Sequence, residues 1–161
     1  MPIDRVVVNA SPLIALFHIE RATLLPDLFR EIVVPESVWD EVVGGGHGDP
    51  AATELPLVPW AQRTRVEIGA HVQAWNLGDG ESAVLSLARA DRVYRAVVDD
   101  RAARRCARTL GIPTLGTGGI LVLAKRRGLV DSVRNELAHL QQAGLWLSES
   151  LVEQLAREAG E

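Results

Sequence analysis

The chain has 161 residues, 47% of them hydrophobic, with 17 basic and 21 acidic side chains and a net charge of −4. That length suits one domain spanning residues 1–161 and is short for two, and the apolar content excludes disorder as the default state. The acidic balance means that the surface as a whole does not attract nucleic acid, so any such contact needs a local basic patch. The longest apolar runs, such as "GILVLA", are too short to span a bilayer. No cationic leader with an apolar stretch and cleavage site opens the chain, which predicts no secretion signal. Cys106, the single cysteine, excludes an internal disulfide, and a cytoplasmic location is expected.

The first predicted element is a strand over Val6–Val8, β-branched and continuously apolar, as in a parallel strand covered on both faces. Pro12 suits the first turn of a helix over residues 13–19, and "ATLLPDLF" predicts a second short helix. "EIVVP" (31–35) is a strand, after which Pro35 opens a helix through "PESVWDEVV". "GGGHGDPAATELPLVP" (44–59) carries no periodicity and predicts a loop or insertion. "VEI" (66–68) is expected as a short edge strand. "GDGESAVLSLARA" (78–90) predicts a helix capped by Asp79. "YRAVV" (94–98) is a strand, "RAARRCARTLG" a helix closed by Gly111, and "IPTLG" (112–116) the last strand. Three more helices follow in "GILVLAKRRGLV", "SVRNELAHLQQAG" and "SESLVEQLAREAG", the last two starting at or near a capping serine. Strands alternating with helices predict an α/β fold, a three-layer α/β/α sandwich on a mainly parallel sheet. Its core is expected over about 3–128, with extra C-terminal helices over about 129–161.

Ligands of open α/β sheets bind beyond the carboxyl ends of the strands. Asn9 ends the first strand there, and Asp99 with Asp100 ends the strand at 94–98. One aspartate of that pair is expected to cap the following helix, which leaves the other available. Glu81 heads the stripe Glu81, Val84, Leu85 and Ala88 that should face the sheet. A lone charge on a buried face costs more than a helix dipole returns, so it predicts a partner, and a metal ion is the simplest one for converging carboxylates. On the helix at 35–43, Asp40 and Glu41 flank the apolar arc equally, and the helical wheel does not choose between them. Arg101, Arg104, Arg105 and Arg108 share one face of their helix, either as an ordinary wet face or as a track for a phosphate backbone, which "AKRRG" (124–128) extends. Cys106 falls on the opposite, core face. His18, His71 and His139 have no ligand spacing, and His47 in the glycine-rich loop is read as an exposed, mobile histidine over a stray metal ligand. "GTGG" has the wrong spacing for a phosphate cradle, which disfavours a nucleotide-binding or receiver-like protein.

The segments "VVVNASPLIAL", "VVPESVWDEV", "GDGESAVLSLA", "VVDDRAARRCARTLGI" and "GTGGILVLAKRRG" run in order from residue 6 to about 128. In that order and spacing the sequence resembles the PIN-domain superfamily of metal-dependent ribonucleases, and more narrowly its compact prokaryotic members related to VapC-type toxins. The resemblance implies an acidic centre at Asn9, Glu41, Glu81 and Asp99 or Asp100, and it selects Glu41 over Asp40. Ser11 falls where the family often has a hydroxyl beside the first acid, and beside such a centre the arginine face read above, at Arg101, Arg104 and Arg105, is expected to hold substrate. The implied chemistry is hydrolysis of RNA phosphodiester bonds with Mg²⁺ or Mn²⁺, whose cations lower the pKa of a bound water. A small antitoxin protein and a homodimer are the implied partners. The family pattern has aspartate at the end of the first strand; Asn9 keeps its shape and one carbonyl acceptor but lacks its charge. Three explanations stand: a natural variant of reduced or lost activity, a metal displaced onto the remaining acids, and a deliberate inactivating change. The rival class is a degenerate PIN fold acting as an interaction module through Leu140, Leu145, Trp146, Leu147 and Leu151, most of which are expected to pack on the domain's own core instead.

Overall fold

The computed structural model describes residues 3–45 and 48–161, so His47 lies outside the described residues. Its centre is a five-stranded parallel sheet in the order β3-β2-β1-β4-β5. The strands are β1 (Arg5–Val8), β2 (Glu31–Pro35), β3 (Ala61–Thr64), β4 (Tyr94–Val97) and β5 (Thr114–Leu115). Val6, Val7 and Val8 of β1 are fully buried, as the unbroken valine run requires of a strand covered on both faces. Val7 stands between Val33 of β2 and Ala96 of β4 in register. The chain builds outward from β1 through β2 to β3, then returns to the other side of β1 with β4 and β5. The switch of direction falls between β1 and β4, where an open α/β sheet leaves a crevice at its carboxyl edge.

Helices flank this sheet. They are α1 (Ala10–His18), α2 (Leu24–Leu28), α3 (Glu36–Gly44), α4 (Pro50–Glu54), α5 (Ala70–Gln73) and α6 (Asp79–Ala90), followed by α7 (Arg101–Leu110), α8 (Thr117–Arg126), α9 (Val133–Gln142) and α10 (Glu149–Glu158). The predicted stripe of α6 is buried at Val84, Leu85 and Ala88, and α6 packs against β4, β1, β2 and α3. α7 buries Ala103, Cys106 and Ala107 and ends at Gly111, whose φ of 70° is the left-handed turn glycine accepts freely. Burial pushes the Cys106 thiol above its ordinary range, as befits a core residue.

α8, α9 and α10 pack on one another. Gly118 permits the closest approach: a Cβ there would stand 2.6 Å from Leu155 Cδ1 of α10. Gly118 of the "GTGG" segment is thus a packing position where α8 meets α10. Ser132 and Ser148 cap α9 and α10 as their positions predict, accepting the N–H groups of Asn135 and Leu151 at 3.2 Å each. The Glu161 carboxylate also closes the start of α9, accepting from the Val133 N–H at 2.6 Å and the Ser132 hydroxyl at 3.1 Å. Arg21 holds the buried Glu136 of α9 through two bonds of 3.0 and 2.7 Å, a bidentate pair that fixes α9 beside the turn after α1. No helix among the described residues is long and apolar enough to cross a membrane.

Three local expectations are corrected. The segment 44–59 is not merely a loop: Asp49 accepts the Ala51 N–H at 3.1 Å and Pro50 starts α4, which continues into a 3-10 turn at Leu55–Leu57. Its Ala51 and Leu55 are fully buried. The edge strand is "AQRT" at 61–64, paired to β2 from Ile32↔Ala61 to Pro35↔Thr64, whereas "VEI" (66–68) forms no strand. Its polar side chains are tolerated because an edge strand is wet on one side. Asp79 does not cap α6; Gly78 holds that position and Asp79 is the first helical residue, where its charge still suits the dipole.

Candidate active site

β1 delivers Asn9 to the switch point, and its N–H donates to Val97 O of β4 at 3.0 Å, which locks the two strand ends together. The side chain is only 2% exposed, and it makes no cap for α1. Asn9 Oδ1 has no hydrogen-bond partner, although buried polar oxygens are nearly always satisfied.

The reason Asn9 and α3 meet lies in Gly80. A Cβ at that position would stand 3.2 Å from Asn9 Oδ1, 3.3 Å from Val38 Cγ2 and 3.6 Å from Glu41 Oε1. The absent side chain lets α6 close on β1 and α3, and it brings the Asn9 and Glu41 oxygens to within 4 Å of one point. Glu41 as a residue is exposed, yet partial burial of its carboxyl, reinforced by the negative charge of Glu81, raises its pKa above the ordinary value. Asp40 turns elsewhere, into a 3.3 Å bond with Arg63 Nη2. Of the two acids the helical wheel leaves open, Glu41 is the one whose oxygen lies near Asn9 Oδ1.

Asp99 and Asp100 divide their labour. Asp100 Oδ2 accepts the Ala103 N–H at 2.9 Å and caps α7. Asp99 reaches the start of α8 instead, accepting the Thr117 N–H at 2.8 Å on Oδ1 and the Thr117 hydroxyl at 2.5 Å on Oδ2. Thr117 is 2% exposed, so this grip is buried at its donor end. Sequence reasoning missed Thr117; the signal was a hydroxyl just after a strand-ending glycine, in a motif weighed only for its glycine spacing.

A groove of about 700 Å³ opens beside these residues, and Ser11, Glu81, Asp99, Asp100 and Arg104 line its polar end. Glu81 and the Asp99–Asp100 corner therefore share one space, whereas Asn9 and Glu41 meet at the Gly80 contact. Arg104 is half-buried and donates from Nη1 to Val98 O at 3.3 Å; among the described residues it has no carboxylate partner. Arg101 and Arg105 are exposed on the outer face of α7 and do not line the groove. Of the apolar residues near the C-terminus, Leu140 joins the core and Leu147 is half-buried. Leu145, Trp146 and Leu151 stay exposed and, with Leu147, line the far end of the groove.

The donor set fits a hard cation in kind: an unsatisfied carbonyl oxygen and carboxylates that repel one another, Glu41 and Glu81 above all. Among the described residues no three His, Cys, Asp or Glu side chains stand together as a cation-holding group.

A family model described as the PIN domain matches residues 5–161, and the chain belongs to that family. The match runs through α9 and α10, which carry the weaker part of the sequence resemblance. PIN domains are in general nucleases that use divalent metal ions, and this places the chain among them at that level. No curated protein matches the sequence.

Proposed function

We propose that the chain is a Mg²⁺- or Mn²⁺-dependent endoribonuclease of the VapC-like toxin type, working in the cytoplasm with a small antitoxin protein and as a homodimer. The observation that carries the catalytic part is the buried Asn9 Oδ1, left without a partner near Glu41, whose carboxylate is repelled by the charge of Glu81. Leaving a buried acceptor unsatisfied costs about 1–3 kcal/mol, a cost that a site evolved to receive a ligand accounts for. Asn9, Glu41, Glu81 and Asp99 are the residues that would hold the cation, with Asp99 oriented by Thr117 and Asp100 acting as the helix cap. When bound, a divalent ion supplies charge neutralisation at the phosphate and an acidified water. The protein's own contribution is placement: Ser11 and Arg104 line the polar end of the groove where a scissile phosphate would lie, and Arg101 and Arg105 offer charge along the outer strand path.

The test is cleavage of a single-stranded RNA in Mn²⁺, compared with EDTA, for the parent protein, Asn9→Asp and Glu81→Gln. Cleavage that needs the cation, rises in Asn9→Asp and disappears in Glu81→Gln is the expected result. Cleavage indifferent to Glu81→Gln overturns the assignment of the site. A second reading, a PIN fold kept as a binding module, draws on the amide at position 9 and on the exposed Leu145, Trp146 and Leu151. RNA bound without being cut by either the parent or Asn9→Asp is the outcome that favours it.

A further inference from the structure

We infer that Trp146 is a stacking platform for a nucleobase of single-stranded RNA, placed so that a strand lying on it runs into the acidic end of the same groove. The inference rests on the nuclease reading above and adds the residue that grips the substrate beyond the reacting phosphate.

The loop between α9 and α10 carries Trp146, and Gly144 at φ 102° makes the turn that projects it. Its side chain is 83% exposed, the most exposed of the large hydrophobic residues described. The other tryptophans, Trp39, Trp60 and Trp75, pack against the core. A bulky aromatic left in water is unexplained by folding, because burying it would contribute far more to stability. Trp146 is not isolated: it lines the groove that also holds Glu81, Asp99 and Arg104. A volume near 700 Å³ falls within the range of about 300–1,000 Å³ typical of ligand sites. At the polar end, beside Asp99, Arg104 offers a guanidinium without a carboxylate partner among the described residues, suited to a backbone phosphate. An aromatic face in the same groove as a guanidinium and carboxylates suits a nucleotide whose base lies on the ring while its phosphate reaches the polar end. Base–aromatic stacking tolerates any base, so the platform predicts grip with weak sequence preference.

The continuity of this apolar end with the acidic end favours a nucleic-acid strand over a separate protein. The neighbouring Leu145 and Leu151 would then shield the edge of the stacked base, as apolar flanks do around a base taken out of a helical stack.

The experiment measures equilibrium binding of a fluorescein-labelled single-stranded oligoribonucleotide to the full chain carrying Glu81→Gln, so that the strand stays intact. Trp146→Ala is expected to weaken binding about 5- to 150-fold, the range of one lost stack, and Trp146→Phe to restore most of it. An oligonucleotide series with one abasic position is expected to contain a single site where the tryptophan no longer matters. Equal affinity of the parent and Trp146→Ala overturns the inference while leaving the nuclease reading intact. So does a weakening that no abasic substitution relieves, or a Trp146→Ala change that alters only the oligomeric state in size-exclusion chromatography, which assigns the face to a second copy. A Glu81→Gln protein that binds no RNA at all overturns the inference, and the nuclease reading falls with it where the parent also leaves RNA uncut in Mn²⁺. Circular dichroism of each variant confirms that the comparison is between folded proteins.

Discussion

Asn9→Asp is the sharpest perturbation the structure offers. The side chain is 2% exposed, its Oδ1 lies by Gly80 with Glu41 Oε1, and Glu41 already feels the charge of Glu81. A carboxylate at position 9 adds a negative charge beside Glu41, which already feels Glu81. An uncompensated buried charge costs about 3–5 kcal/mol. For a chain of this size each kcal/mol moves the melting temperature by about 2–4 °C, so in EDTA the variant should melt about 6–20 °C below the parent. A divalent ion reverses the sign. At a free concentration 100 times its Kd it stabilises by about 2.7 kcal/mol, which returns about 5–11 °C. The assay is calorimetric melting of parent and variant in EDTA, Mg²⁺ and Mn²⁺. The expected pattern is a parent with a small metal response and a variant that is weaker without metal and strongly metal-responsive. A variant as stable as the parent in EDTA, with no larger rise in Mn²⁺, would refute the reasoning, because position 9 would then not face a shared cation site.

Two further predictions concern the frame that holds the site. Tyr94, the single tyrosine, donates to Glu31 Oε1 at 2.6 Å, and that bond with the nearby Glu31 charge and burial pushes its pKa up to about 12. Because the folded value lies above the unfolded value of about 10, the bond's stabilisation is present below pH 10 and is lost as pH rises toward 12. Phenolate absorbance during alkaline titration should appear near 12 and move toward 10 in Glu31→Gln; a parent midpoint at 10 contradicts the contact. Burial pushes the Glu161 carboxyl up, but the Val133 and Arg134 N–H groups, the Ser132 hydroxyl and Lys125 outweigh it and hold the group below its ordinary value. Its stabilisation is therefore present above the ordinary carboxylate range and lost as pH falls through the folded value. Glu161→Gln should cost about 0.5–2 kcal/mol at neutral pH and converge with the parent in acid, as chemical denaturation at several pH values will read.

Much of the fold is legible in the sequence wherever burial forces composition. Val6–Val8 and "EIVVP" read as central strands because a parallel strand covered on both faces has no polar positions to disguise it. The edge strand escapes for the converse reason: "AQRT" is half wet, so its residues carry no pattern, and the more strand-like "VEI" nearby draws the prediction. α4 hides in a segment rich in glycine and proline, although Asp49 followed by Pro50 is a sound start signal that the composition of the whole stretch obscured. At the site, Glu81 is readable from periodicity, since a carboxylate heading an apolar stripe contradicts its surroundings. Glu41 and Asp40 are not separable that way, because a wheel records angle and not neighbours; the contact through Gly80 and the pairing of Asp40 with Arg63 are tertiary facts. Trp146 likewise looks like core material in the sequence, and only its projection on the α9–α10 loop reveals it as surface.

The division of tasks between Asp99 and Asp100 bears on how the centre tolerates change. Two neighbouring carboxylates each anchor the beginning of a different helix, so the tip of one strand serves as the common hinge pin for α7 and α8. Mutagenesis there disturbs two helix starts together with the proposed cation site, and a dead Asp99 variant would report little about either. Glu81 bears no such double duty among the hydrogen bonds described, which makes it the cleaner place to interrogate the reaction, and it leaves evolution freer to retune this protein from that side.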